Sequence, residues 1–158
     1  MTQAELNLIL AAHAEWLAGS KKGKRANLSG CDLSWSNLSG CDLSGSNLSG
    51  SNLRGSNLRG SNLSGCDLSW SNLSWSNLRG SDLRGSNLRG CDHVIDAGYP
   101  DGWHTIGWHI EGAIQVRVGC RSMSLAEGRT YWADKENRRE VLAALDYIEA
   151  VAKLREWK

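Results

Sequence analysis

The sequence predicts a mainly β fold: a solenoid over residues 26–95, flanked by a capping helix and a small C-terminal α+β unit. Three observations predict it. Every fifth residue from Leu28 to Leu88 is leucine, thirteen in all, with His93 at the fourteenth position. Two residues before each of these stands only Ala, Cys or Ser, from Ala26 to Cys91. One residue before stands only Asn or Asp, from Asn27 to Asp92.

An α-helix would rotate successive leucines by about 140° and scatter them round its circumference. A flat strand of period two would send them to alternate faces. A chain that turns once per pentad aims every leucine at one axis and stacks its coils through backbone hydrogen bonds about 4.8 Å apart. The Ala, Cys and Ser positions must also face inward, where space is short. Ser dominates there, and each buried hydroxyl needs a partner or costs about 1–3 kcal/mol. The Asn and Asp side chains bond nearby backbone and favour turns, so they are expected to brace the corners. The two remaining positions hold Ser or Arg and then Gly or Trp, and point to solvent.

Residues 1–25 read as a capping helix and linker. Leu6, Ile9, Leu10, His13, Trp16 and Leu17 recur at helical spacing after Thr2, and Gly19 is the stop signal. Residues 96–158 read as a hairpin plus helices. Tyr99-Pro100-Asp101-Gly102 is a turn, and residues 103–110 and 113–120 alternate as two strands around Glu111-Gly112, with Ile114, Val116 and Val118 on one face. Ser124-Leu125-Ala126-Glu127 is a capping box for a short helix through Trp132. A longer helix from Glu136 to Trp157 carries Val141, Leu145, Ile148 and Ala152 on one stripe. This unit is expected to cap the last coil, or its long helix to pair with a second copy.

The pentads CDLSG, SNLSG, SNLRG and CDLSW resemble the pentapeptide-repeat family, over about 70 residues without a gap. The resemblance implies a right-handed quadrilateral β-helix with four pentads per coil, about three and a half coils here. The chain departs from the family in using Ser where Ala dominates. The N-terminal segment and the following GKRANLSG are similar to phage-encoded members. Well-studied members dimerise through C-terminal elements, which implies a homodimer through the C-terminal helix, though no specific motif for that stands here.

The formal charge of +1 gives no global pull toward nucleic acid or acidic membranes. No leader-like segment and no long apolar run occurs, so the chain is expected to be cytoplasmic and not membrane-bound. Lys21, Lys22, Lys24 and Arg25 are read as a solvated linker or a phosphate contact. Five cysteines are an odd number, and four recur at one repeat position, so reduced core thiols are expected.

No catalytic, cofactor or metal site is expected, and the chain is read as a non-enzyme. Cys91, Asp92, His93, His104, His109 and Cys120 match no zinc-ligand spacing, and nothing near them reads as an oxyanion hole. The interaction candidates are Trp35, Trp70 and Trp75, which replace corner glycines, and Arg59 and Arg79, which stack beside Asn37, Asn57 and Asn77. Such indoles are common at interfaces, and packing beneath a cap is the other reading. Two functions follow: a phage-type protein occupying a host protein surface, and a self-assembling scaffold. Family members that act on DNA gyrase do so by resembling duplex DNA, which needs acidic stripes. Five Asp balanced by five Arg in the repeats supply none. Nucleic-acid binding through Arg59 and Arg79 is the weakest reading.

Overall fold

The computed structural model describes residues 1–110, 112–135 and 138–157. It divides into two compact units, Met1–Asp92 and His93–Lys158.

The first unit opens with α1 (Gln3–Leu17). Thr2 and Glu5 form a capping box, each side chain accepting from the other's backbone N–H, which satisfies two orphan donors of the first turn. Leu6 and His13 are the buried residues of this helix. Trp16 and Leu17, expected on the same inward stripe, are about two-fifths exposed. The chain then doubles back along the helix, and the Lys24 N–H donates to the Ala12 carbonyl. Gly23 is required there, since a Cβ would lie 2.1 Å from the Trp16 nitrogen. The Ala26 N–H donates to His13 Nδ1 at 3.1 Å, and this bond ties α1 to the first coil.

Ten parallel bridges, from Asn27–Asn47 to Asn72–Asp92, join residues twenty apart. One coil is therefore four pentads, and the solenoid has four sides. The thirteen leucines are at most 2% exposed except Leu88, at 9%. The inward serines solve their hydroxyl problem locally. Ser36, Ser51, Ser61, Ser76, Ser81 and Ser86 each donate to the carbonyl of the leucine three residues earlier, at 2.6–2.7 Å. Cys66 and Cys91 donate instead to Leu43 and Leu68, one coil away. Each inward Cys is followed by Asp, and nothing in the structure explains that pairing. The Asn and Asp oxygens accept the backbone N–H two residues on, as at Asn27–Ser29 and Asp42–Ser44, so they do brace the corners.

The second unit is a four-stranded antiparallel sheet in the order β1-β2-β3-β4 with two helices. The strands are β1 (Val94–Asp96), β2 (Thr105–Ile110), β3 (Ala113–Val118) and β4 (Arg121–Ser124), and the helices α2 (Leu125–Ala133) and α3 (Arg139–Leu154). The hairpin expected at 103–120 is β2 and β3, and Glu111 of its turn lies outside the described residues. β1 and β4 widen it into a sheet that the sequence pattern did not show. Residues 136 and 137, where the long helix was expected to begin, also lie outside the described residues, and that helix ends at Leu154 instead of Trp157. Val141, Leu145, Ile148 and Ala152 pack with Ile95, Val116, Val118 and Trp132 into one core. The stripe of α3 named for self-association thus faces its own sheet. A homodimer through α3 would use the opposite side, where Tyr147 and Leu154 are exposed.

Candidate interaction surface

Every pentad ends at a corner whose backbone is left-handed. Ten corners from Gly30 to Gly90 are glycine with φ of 64–72°, and three are Trp35, Trp70 and Trp75 with φ of 60–62°. Glycine adopts this conformation freely, whereas a Cβ there costs roughly 1–2 kcal/mol. The three indoles are 73%, 69% and 47% exposed, so most of the Trp35 and Trp70 side chains stand in solvent.

Corners twenty residues apart stack into edges. Trp35, Gly55 and Trp75 form one edge, and Gly30, Gly50, Trp70 and Gly90 form the neighbouring one. The Trp35 ring lies over Gly55, where a Cβ would meet it at 2.5 Å, and the Trp70 ring lies over Gly90 at 2.6 Å. Trp35 and Trp70 therefore each need glycine one coil on.

Trp35 and Trp70 occupy one and the same composite setting. In both, a CDLSW pentad lies beside an SNLRG pentad twenty residues on. Asn52 Nδ2 donates to Asp32 Oδ1, and Asn87 Nδ2 to Asp67 Oδ1, each at 3.1 Å. Hydrogen bonds from the Ser34 and Ser69 side chains, then from their backbone N–H groups, hold Asp32 and Asp67 below the usual carboxylate range. Arg54 and Arg89 precede the glycines that the two rings cover. The readable signal is Trp followed nineteen and twenty residues later by Arg-Gly, visible only once the coil is known to be twenty residues long.

On the face adjoining the Trp35–Trp75 edge, Arg59 and Arg79 stand in consecutive coils beside Asn37, Asn57 and Asn77. Both are exposed, and neither forms an ion pair among the described residues, unlike Arg84, which holds Asp82 at 2.6 Å. Trp35, Trp75, Arg59 and Arg79 therefore share one continuous surface, with Trp70 one edge away.

The residues weighed for metal or nucleophilic chemistry are engaged otherwise. The Cys91 thiol is buried, bonded to the Leu68 carbonyl, and pushed up by burial, the wrong direction for a nucleophile. His104 Nε2 lies 3.2 Å from Asp96, His93 stacks on Trp157, and His109 meets the same indole at a tilt, each with ring centres 5.9 Å away. Cys120 is exposed. No group of three or more His, Cys, Asp or Glu comes together for a metal among the described residues. A shallow cavity of about 530 Å³ in the second unit is lined by Met123, Ala126, Glu127, Thr130 and Tyr131. Among the described residues, no helix is long and apolar enough to cross a membrane.

The family model described as pentapeptide repeats (8 copies) matches residues 26–65 and 66–92. Residues 26–92, about two-fifths of the chain, are thus similar to the pentapeptide-repeat family. That likeness implies a right-handed quadrilateral β-helix, and the twenty-residue coil described above supplies its four sides. Among solved structures, the chain is similar to the pentapeptide-repeat protein Rfr23 from the cyanobacterium Cyanothece 51142, with 36% identity, 44% of this chain and 48% of that one covered, and a TM-score of 0.43. It is also similar to a pentapeptide-repeat protein of the Arabidopsis thaliana thylakoid lumen, with 34% identity, 41% and 45% covered, and a TM-score of 0.40. HetL from Nostoc sp. strain PCC 7120, a pentapeptide-repeat protein involved in heterocyst differentiation regulation, shares 28% identity over 44% of this chain and 43% of its own, with a TM-score of 0.27. The chain spans less than half the length of each. No curated protein matches.

Proposed function

We propose that this pentapeptide-repeat chain is a non-catalytic, cytoplasmic, phage-type binding protein that occupies a host protein through the edge bearing Trp35 and Trp75, with Trp70, Arg59 and Arg79 around it. One observation carries the reading: three exposed indoles stand at strained corners where glycine serves ten times without strain. The exchange places left-handed strain at three exposed corners, and Trp and Arg are the residues that dominate binding energy at interfaces. Proteins of this family are in general non-catalytic and interact with other proteins, which agrees. Arg54, Arg59, Arg79, Arg84 and Arg89 offset the repeat's five acids, so an acidic imitation of duplex DNA has no support in the charge pattern.

The test is capture from host lysate on immobilised full-length protein, beside a variant carrying Trp35→Gly, Trp70→Gly and Trp75→Gly. A stoichiometric protein retained by the first and lost by the second is expected. Equal capture by both would overturn the assignment of the surface, and no capture from several hosts would overturn the function.

A further inference from the structure

We propose that His13 is a pH-sensitive latch: protonation of its ring releases α1 from the first coil of the solenoid. The inference concerns regulation, and it stands whether or not the tryptophan edge is the binding surface.

The latch is one hydrogen bond with a fixed direction. The Ala26 N–H donates to His13 Nδ1 at 3.1 Å, so that nitrogen carries no proton and the neutral ring bears its hydrogen on Nε2. A ring protonated on both nitrogens has two donors and no acceptor, which sets N–H against N–H at Ala26. Ala26 is not free to turn away, because its carbonyl accepts from the Asn47 N–H of the next coil. The surroundings offer a charged ring little else. His13 is 0% exposed, its Nε2 has no hydrogen-bond partner among the described residues, and the Trp16 ring stacks on it with centres 5.3 Å apart. A buried charge without partners is strongly unfavourable. Leu6 is the other buried residue of α1, so the bond from Ala26 is a large part of what fastens the helix.

The acid that acts on His13 is Asp42 of the first coil. Burial pushes its carboxyl up, and the bonds from Ser44 and Asn62, with the His13 charge, bring it below the usual carboxylate range. Asp42 is itself exposed, and water and salt screen its pull on the ring. The linker brings Lys24 and Arg25, and α1 itself Glu15 two residues on and Glu5 in its first turn, all of them exposed. The released helix therefore binds one proton more than the fastened one. By linkage, acid favours release by up to about tenfold per unit of pH. The sign is opposite to that of an ion pair between His13 and Asp42, which acid would tighten.

The experiment is amide hydrogen exchange of the isotope-labelled full-length protein, read by NMR at about pH 7.5 and about pH 5.5 and corrected for the intrinsic rate. Ala26 and α1 are expected to lose roughly tenfold or more of their protection at the lower pH, while the buried Leu53, Leu58 and Leu63 keep theirs. The ring nitrogen resonances of His13 in the same samples should show hydrogen on Nε2 at the higher pH, and on both nitrogens in step with the loss. In His13→Gln the side-chain oxygen accepts at every pH, so protection of α1 should not respond to pH. Protection of α1 that is the same at both values, or a loss that does not follow the His13 ring, would overturn the inference. An equal pH-driven loss in His13→Gln would do so too. Where that variant frees α1 at both values, the ring titration of the unmodified chain decides.

Discussion

Ser56 and Ser61 occupy equivalent inward positions in successive pentads, each about 1% exposed, and differ in one bond. Ser61 Oγ donates to the Leu58 carbonyl at 2.7 Å, whereas Ser56 Oγ is buried without a hydrogen-bond partner among the described residues. A buried hydroxyl with no partner costs about 1–3 kcal/mol, and a satisfied one contributes about 1. Ser56→Ala is therefore expected to raise stability by about 1 kcal/mol and Ser61→Ala to lower it by a similar amount, read as opposite shifts of the urea midpoint. The inward column of leucines was legible from its period alone. The destination of the serine hydroxyls was not, because a carbonyl three residues back is always within the chain's reach and only coordinates show which hydroxyls take it. Nor did the sequence show that Trp35 and Trp70 share one setting, since their partners lie twenty residues away.

In the solenoid coils, the Asx turns couple stability to pH. Asp32 and Asp67 are held low mainly by the Ser34 and Ser69 side chains, and at Asp42 burial pushes upward but the bonds from Ser44 and Asn62 outweigh it. Carboxyls whose folded values are depressed add stability that is complete above the ordinary Asp value of about 4 and fades as pH falls through the lowered ones. Asn makes the same turn at neighbouring corners without titrating. Replacing all three Asp by Asn should therefore leave the melting temperature near neutrality almost unchanged and flatten its fall below pH 4. In the sheet, Gly107 sits under α3, and a Cβ there would lie 2.4 Å from Ile148 Cγ2. Gly107→Ala should cost the second unit roughly 1–3 kcal/mol by overpacking, measured as a lower unfolding midpoint, and Ile148→Ala in the same chain should relieve part of it. β2, β3 and α3 were legible because each carries several turns or alternations of apolar residues, and α2 because the Ser124–Glu127 capping box marks its start. β1 and β4 were not: at three and four residues they are too short to show a period, and pairing with β2 and β3 makes them strands.

At the scale of the whole molecule, two independent needs are met by two units. The first builds a four-sided stack around its leucines, and the second buries a sheet and two helices around their own core. On the proposed function, the near-neutral charge leaves recognition to shape and to a few side chains. The central claim is that three of those side chains are kept at a cost to folding. Equilibrium urea unfolding of the variant with Trp35, Trp70 and Trp75 all changed to Gly tests it most directly. Relief of left-handed strain predicts a gain of about 1 kcal/mol per site over the unmodified chain. A loss of stability in that variant would mean that the indoles hold the solenoid together, and would contradict their assignment to binding.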